Sequence, residues 1–253
     1  MVQEQLTHAP ISAQYWLEPH VHLCCTPEGI VFLDLKKDRY VGLGGDDLPN
    51  LRLFVEGWPA AAEGSKPSTT YLREATDACE RLVKEELFTT SSANGKPADP
   101  VQIAALEDIP LENEHESDNP AHVSAANVAV CLLSCARTAF SLRTRSLYSI
   151  SESVRTRKSR AAQRQACLAS ESEVRRLVQI FNRIRPYIYT GKDHCLFHAL
   201  TLTDFLAFYG QFATWVIGVR MDPFAAHSWV QHEGIVFDDY FDEVYSFTPI
   251  HAV

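Results

Sequence analysis

The sequence lacks the segments that would carry a protein into or across a membrane. It does not open with a basic start followed by an apolar run, so we expect no signal peptide. No uninterrupted apolar stretch approaches about 18 residues, so we expect no transmembrane helix and no membrane partner. The seven cysteines are odd in number and form no CxxC pair. Reduced thiols in a cytoplasmic protein, with no resident metal, are therefore expected.

Net positive charge is lacking as well. The chain carries a formal charge of −9, which argues against a nucleic-acid partner. Residues 137–185 nevertheless hold twelve Lys and Arg against three Glu, so this segment is +9 and the remainder is −18. Such a run is most often a solvated helix face, and the alternative is a docking surface for an acidic partner or for ATP phosphates. A Gly-rich phosphate loop is missing, because Gly42-Leu43-Gly44-Gly45 lacks the Lys-Ser/Thr that would follow it.

The N-terminal segment predicts a small sheet followed by helices. Residues 20–43 indicate three short strands, with turns at Pro27-Glu28-Gly29 and Lys36-Lys37-Asp38. Helical patterns follow at about 48–57 and about 68–88. Three strands and helices within residues 1–90 are typical of a winged-helix-like α+β domain.

A linker and a helical region are predicted next. Residues 91–122 are rich in Ser, Pro, Asn and acidic side chains, which indicates an acidic linker. One helix is marked by the apolar positions Val123, Ala126, Val130, Leu133, Ala136 and Phe140. Another is marked by Val174, Leu177, Val178, Phe181 and Ile184, and it ends at Pro186. The polar stretch 151–165 between them is predicted to be a loop.

The last segment predicts one helix followed by a sheet. The helix covers about 195–209, begins after a cap at Asp193 and ends at Gly210. Strands are predicted at 213–219, 226–232 and 235–238, and the last two are joined by a Glu233-Gly234 turn. We therefore expect an α+β protein whose domain at 123–253 has a helical part and a helix plus antiparallel sheet.

Three residues of this segment fit a cysteine-nucleophile site. Cys195 begins the predicted helix, where the backbone dipoles favour a thiolate and free N–H groups can form an oxyanion hole. His227 on a following strand is the candidate base, and Asp239 beyond the next turn is the candidate group that orients its ring. Papain-like and transglutaminase-like sites present the same order of helix cysteine, strand histidine and strand aspartate.

Each member of this set has a plainer interpretation. Cys195 can be a structural helix residue, His227 a core residue, and Asp238 competes with Asp239 for the acidic role. His194 and His198 are rival bases, although both lie very close to Cys195 in the sequence. Cys195, His198 and His227 together offer three metal ligands, but they lack a compact spacing pattern.

Two consecutive stretches resemble a known family. They are Cys195-Leu196-(x)3-Leu200-(x)5-Leu206-(x)3-Gly210 and Val216-Ile217-Gly218-Val219-Arg220-(x)2-Pro223-Phe224-(x)-Ala226-His227-Ser228-Trp229-Val230. Together they are similar to the lasso-peptide leader peptidase, the bacterial B protein of lasso-peptide biosynthesis, which is a transglutaminase-like cysteine protease. The resemblance puts the catalytic Cys, His and Asp on Cys195, His227 and Asp239. It departs at Asp238, where the family often has Asn.

The resemblance also implies a task for the N-terminal segment. That segment is similar to the PqqD-like recognition domain, which grips the leader of a precursor peptide as an added strand. The candidate edge is Arg39, Tyr40, Val41, Gly42 and Leu43, and the alternative is a purely structural sheet. The implied activity is hydrolysis of the leader–core bond, which frees the core amine for an asparagine-synthetase-like macrolactam cyclase. No cofactor is expected on this chain, and ATP enters only through the cyclase.

Two other functions stay open on the sequence. The same triad is compatible with acyl or amide transfer, as in transglutaminase-like acyltransferases. The strand edge is compatible with a non-catalytic module that chaperones a peptide during maturation.

Overall fold

The computed structural model describes residues 15–44, 51, 54–58, 69–106, 122–163, 171–189, 194–237, 239 and 241–253. The chain divides into two compact units, the first formed by residues 1–35 and 39–100 and the second by residues 36–38 and 101–253. Both combine helices with antiparallel strands, which confirms the predicted α+β class. The domain boundaries predicted after residues 90 and 122 stay predictions.

The first unit is built on a three-stranded antiparallel sheet. Its strands are β2 (Val21–Thr26), β3 (Gly29–Asp34) and β4 (Arg39–Gly44), in the order β2-β3-β4. A two-stranded ribbon of β1 (Trp16–Leu17) and β5 (Phe88–Thr89) and the helix α1 (Thr69–Lys84) complete it. Buried apolar side chains of the strands and of α1 share one core, so the three predicted strands are confirmed.

Two predicted helices in this unit differ from the structure. α1 ends at Lys84 rather than near residue 88, because Glu86 takes a positive φ of 61° and the chain then enters β5. The Arg39 guanidinium donates to the Glu85 carbonyl at 2.9 Å, which satisfies a carbonyl just beyond this helix end. Half of the helix predicted at 48–57 lies outside the described residues. Its described end is a turn in which Val55 forms a β-bridge to Tyr15.

The described part of the predicted linker is packed rather than open. Gly95 lies so close to Trp16 that a Cβ atom there would come within 2.4 Å of the Trp16 Cβ, and Ala98 is fully buried in the first core. Ile103 and Leu106 pack against the core of the second unit. Residues 107–121 are outside the described part of the chain.

The second unit begins with the helices α2 (Ala125–Thr144), α3 (Leu147–Gln163), α4 (Glu171–Ile184) and α5 (Cys195–Phe208). The loop predicted at 151–165 is wrong, since α3 runs through Gln163. Ile150, Val154 and Ala161 place a narrow apolar stripe on one face of α3, and these residues are buried. The many charged residues around the stripe hide this periodicity in the sequence.

The apolar face predicted for the first of these helices is also wrong. Leu133 and Phe140 are 46% and 67% exposed, whereas the small polar and thiol side chains of α2 are buried. The buried set is Asn127, Cys131, Ser134, Cys135 and Thr138, together with Val130. These side chains are short and α2 packs against α5, with Asn127 donating to the Tyr209 hydroxyl at 2.7 Å. α2 is the one described helix long and apolar enough to span a membrane, with mean hydropathy 1.5.

A four-stranded antiparallel sheet follows α5. Its strands are β6 (Thr214–Met221), β7 (Phe224–His232), β8 (Ile235–Phe237) and β9 (Thr248–Ala252), in the order β8-β7-β6-β9. The helix α6 (Phe241–Tyr245) lies between β8 and β9 in the chain. Glu233 and Gly234 both have positive φ, which is typical of the tight hairpin turn predicted there. β9 was not predicted, and it pairs with β6 across a bulge beside Pro249.

Candidate active site

Cys195 is the first residue of α5, as the sequence predicts. The preceding residue, His194, makes no side-chain cap, and the predicted cap Asp193 lies outside the described residues. The first amide N–H groups of a helix have no acceptor within the helix itself, so they can bond to other groups. The backbone amides of Leu196 and Ser228 both hydrogen-bond toward the Cys195 sulfur. The helix terminus and β7 thus meet at the thiol.

His227 lies on β7 and connects the thiol to Asp239. Its Nε2 atom is 2.5 Å from Asp239 Oδ2, and its side chain and that of Asp239 are only 14% and 15% exposed. Because Nε2 is occupied by the carboxylate, the other ring nitrogen, Nδ1, is left for the hydrogen bond to Cys195. The three predicted side chains form one continuous chain of hydrogen bonds.

The electrostatics of this trio favour a thiolate–imidazolium pair. Burial acts to raise the pKa of Cys195, but the hydrogen bond and charge of His227, with the two amides, outweigh it and lower the pKa below the usual thiol value. Burial acts to lower the pKa of His227, but the hydrogen bonds and charges of Asp239 and Cys195 raise it to about 10. Each partner therefore holds the other in its charged form.

Two aromatic rings fix the plane of the imidazole. Trp229 lies nearly parallel to it, at 17° with centroids 6.3 Å apart, and Phe247 packs at 5.2 Å. Gly218 is the β6 residue opposite His227, and a Cβ there would come within 2.7 Å of the Trp229 ring and 3.0 Å of Phe247. A glycine at this position is therefore what allows both rings to approach.

Buried hydrogen bonds hold the strands around the site. The Trp229 Nε1–H group donates to Gln231 Oε1 at 2.9 Å, and Gln231 donates to the Ala104 carbonyl at 3.1 Å. The Trp215 Nε1–H group donates to Ser228 Oγ at 2.8 Å, and the Ser228 hydroxyl donates to the Val216 carbonyl at 3.1 Å. Because all the buried side-chain groups named here are paired, the site is set in a rigid frame.

Comparison with known proteins bears on this arrangement. Residues 131–252 match the family model of the transglutaminase-like superfamily. This segment is a transglutaminase-like domain. The superfamily includes cysteine peptidases as well as transglutaminases, so cysteine-protease-like or acyltransferase chemistry is the activity that the match indicates. No curated protein and no solved structure matches the chain.

His194 and His198 are the rival candidates for the base, and Asp238 is the rival candidate for the acid. His198 Nδ1 is 2.7 Å from the Tyr189 hydroxyl, and its ring packs against Phe181 at 5.5 Å. His194 is exposed at the helix start, and Asp238 lies outside the described residues. Within the described ranges, no three His, Cys, Asp or Glu side chains are arranged to hold a metal ion.

The predicted leader-binding residues lie on β4, outside the transglutaminase-like domain. Among the described residues β4 pairs only with β3, so its outer side is a sheet edge. Val41 and Leu43 pack on the core of the first unit, and Arg39 contacts Asp34 at 3.4 Å. A role for this edge in peptide binding stays a prediction.

Sequence reasoning missed the aromatic rings and the two amides that complete the site. Trp229 could have been found, because residues i and i+2 of a strand face the same side and His227 is its i−2 neighbour. Phe247 could not, since it follows a short helix whose position the sequence does not reveal. The contact of the Ser228 amide with the thiol was also not predictable, because it depends on where β7 meets α5.

The arrangement is suited to acyl transfer through a thioester. A Cys195 thiolate is a strong nucleophile, and the imidazolium of His227 can deliver a proton to a leaving amine. The backbone amides that hydrogen-bond toward the Cys195 sulfur lie beside the thiol, where such donors can stabilise a developing oxyanion. The geometry thus supports the covalent step that peptidases and acyltransferases share.

Proposed function

We propose that this protein is the leader peptidase of a lasso-peptide maturation system. In this proposal the transglutaminase-like domain hydrolyses the bond between leader and core, and the N-terminal unit holds the leader. The observation that carries the proposal is the hydrogen-bonded chain Cys195–His227–Asp239 at the start of a helix. Its histidine, His227, lies within a block, Ile217-Gly218-Val219 to Trp229-Val230, that resembles the lasso leader peptidases.

The acylation step uses the ion pair directly. The Cys195 thiolate attacks the scissile carbonyl, and the oxygen of the tetrahedral intermediate accepts N–H hydrogen bonds at the start of α5. His227 then donates its proton to the departing nitrogen, which breaks the C–N bond and releases the core with a free α-amine. The leader remains as a thioester on Cys195.

Deacylation restores the enzyme. His227, now neutral, accepts a proton from water as the water oxygen attacks the thioester. The thiolate leaves and the thiolate–imidazolium pair forms again, while the leader is released as a carboxylic acid that gives its remaining proton to solvent. One water is therefore consumed for each bond cleaved. The free core amine is the nucleophile that an asparagine-synthetase-like cyclase would need for macrolactam formation. On this proposal the chain needs no cofactor of its own, and ATP serves the cyclase.

Cleavage of a cognate precursor tests the proposal. We expect the wild type to release leader and core, and Cys195→Ala to release neither, when products are followed by mass spectrometry. Cys25→Ala is the matched control, because Cys25 is an exposed free thiol in the other unit. Cleavage by the Cys195→Ala protein would rule out the proposed mechanism.

In this proposal the leader binds to β4, which among the described residues is an edge strand of the three-stranded sheet. Alternate residues of an edge strand present N–H and C=O groups outward, and an extended peptide can pair with them. We expect hydrogen exchange of alternate β4 amides to slow when the leader peptide is added. The β2 amides, on the other edge of the same sheet, serve as the internal control. Protection at β2 alone, or at neither strand, would contradict the assignment.

Acyl transfer is the second candidate, because the superfamily match fits it equally. The two reactions differ in what attacks the thioester. In H₂¹⁸O, hydrolysis places one ¹⁸O atom in the new leader carboxylate, whereas transfer to an amine gives an amide without the label. A purely binding role predicts neither product and no enhanced alkylation of Cys195 by iodoacetamide.

A further inference from the structure

A second concave site lies in the helical part of the transglutaminase-like domain. A cavity of about 500 Å³ opens between α2 and α3, with Leu200 and Asp204 of α5 also lining it. This volume is within the range typical of small-molecule sites. Cys195, His227 and Asp239 do not line it, so it is separate from the triad.

Arginines dominate the charge of this cavity. Four of them line it, Arg137, Arg145, Arg157 and Arg160, against the two carboxylates of Glu152 and Asp204. Asp204 bridges two of these arginines, accepting from Arg157 and lying 3.4 Å from Arg137, and thereby holds them side by side. One carboxylate cannot neutralise two guanidinium groups, so positive charge remains at this end.

Arg145 and Arg160 add positive charge, and neither has a carboxylate partner among the residues that the structure describes. Arg145 donates to Ser149 Oγ at 2.9 Å, to the Ser149 carbonyl at 2.7 Å and to Ser153 Oγ at 2.6 Å. These neutral partners fix its guanidinium on the cavity wall but leave its charge in place. Within the described ranges, no ion pair joins Arg160 to an acid. Hydroxyls of Ser141, Ser149 and Ser153 add hydrogen-bond donors to the same wall.

An apolar cavity adjoins the basic one. It has a volume of about 370 Å³ and shares Arg137, Arg157, Arg160 and Asp204 with its neighbour. Its other walls are apolar: Ala161, Ala207, Phe208 and Phe212. A ligand that spanned both would therefore have an anionic group at one end and an apolar body at the other.

We propose that this double cavity binds a small organic phosphate. Planar guanidinium groups and hydroxyls match the several oxygens of a phosphate, and the apolar compartment accepts the group that the phosphate is attached to. The paired cavities suit a compact ligand better than an acidic protein surface, which would need a broad exposed patch. The site makes the Arg-rich segment 137–185 a ligand-binding element as well as a solvated surface.

Binding to the full-length protein by calorimetry tests this assignment. Inorganic pyrophosphate probes the basic end, phenyl phosphate probes both ends, and phenol is the uncharged control. We expect pyrophosphate and phenyl phosphate to bind and phenol not to bind at the same concentration. Arg145→Gln and Arg160→Gln should each lower the affinity for phenyl phosphate by about tenfold, as expected for loss of a charge-assisted contact. Arg143→Gln is the matched control, because Arg143 is exposed near the end of α2, two residues before Arg145, and does not line the cavity.

Several results would overturn the proposal. One is equal binding by Arg145→Gln, Arg160→Gln and the wild type, and another is an equal loss in Arg143→Gln. A third is binding of a polyglutamate peptide without binding of either phosphate, which would indicate a protein partner instead. Phe208→Ser tests the apolar compartment by itself. It should lower the affinity for phenyl phosphate and leave the affinity for pyrophosphate unchanged. Circular dichroism and thermal melts of each variant establish that it is folded.

Discussion

At the scale of single residues, the pH dependence of Cys195 is the most direct consequence of the site. The pKa of the thiol is lowered, so the thiolate persists to pH values where an ordinary cysteine is protonated. The pKa of His227 is raised to about 10, so the imidazolium that stabilises the thiolate is present below that pH and is lost above it. The thiolate–imidazolium pair therefore exists at pH values between the lowered pKa of Cys195 and the raised pKa of His227.

Alkylation with iodoacetamide measures this window. We expect Cys195 to react readily near pH 7, and His227→Gln to shift the reactivity of Cys195 to higher pH, with a loss of about tenfold or more at neutrality. Cys25 is an internal control in the same digest, because partial loss of hydration raises the pKa of its thiol. An unchanged pH profile in His227→Gln would show that His227 does not set the thiolate.

Asp239 is expected to act through His227 rather than on the substrate. Its carboxylate holds the Nε2 side of the ring and favours the charged imidazole. We expect Asp239→Asn to lower kcat by about two to four orders of magnitude with a smaller change in KM. Asp242→Asn is the control, since Asp242 is an exposed acid in the helix that follows. Equal effects of the two changes would contradict this role.

At the scale of elements, the contact between β6 and β7 depends on Gly218. Alanine there would bring a methyl group within 2.7 and 2.8 Å of the Trp229 indole. We expect Gly218→Ala to destabilise the protein by about 1–3 kcal/mol, as overpacked core positions do, and to lower activity by moving Trp229 against His227. Urea unfolding measures the first effect. Gly44→Ala is the control, because its nearest contact would be a Glu28 oxygen at 3.9 Å, and equal losses would argue against crowding at Gly218.

The same elements show what a sequence can reveal. The proximity of Cys195, His227 and Asp239 was predictable because these residues begin a helix, lie on a strand and follow a turn, and these features have strong local signals. The strands β2 to β4 and β6 to β8 were predictable for the same reason. The helix α3 was not, because charged side chains surround its narrow apolar stripe.

The buried face of α2 was hidden for a different physical reason. Close packing against α5 selects short side chains such as Ser134 and Cys135, which a hydrophobic pattern does not register. The larger apolar residues Leu133 and Phe140 then remain on the outside. The periodicity of apolar residues therefore predicted the existence of α2 correctly, but it predicted the wrong buried face.

At the scale of the whole molecule, the proposed division of labour puts recognition and chemistry in different units. The candidate edge β4 belongs to the first unit and the triad to the second. If the leader binds mainly at β4, then leader binding and thiol reactivity are separable properties of one chain. Specificity for the precursor would then depend little on the residues next to the scissile bond.

Competition by free leader peptide tests this separation. We expect excess leader to raise the KM for cleavage of the full precursor while leaving kcat unchanged, because it occupies the recognition edge and not the thiol. The alkylation rate of Cys195 should then be the same with and without leader. If leader instead protects Cys195 from iodoacetamide, recognition and catalysis share one site. A core-only peptide is the control, since it lacks the segment that β4 would bind and should leave the KM for the precursor unchanged at the same concentration.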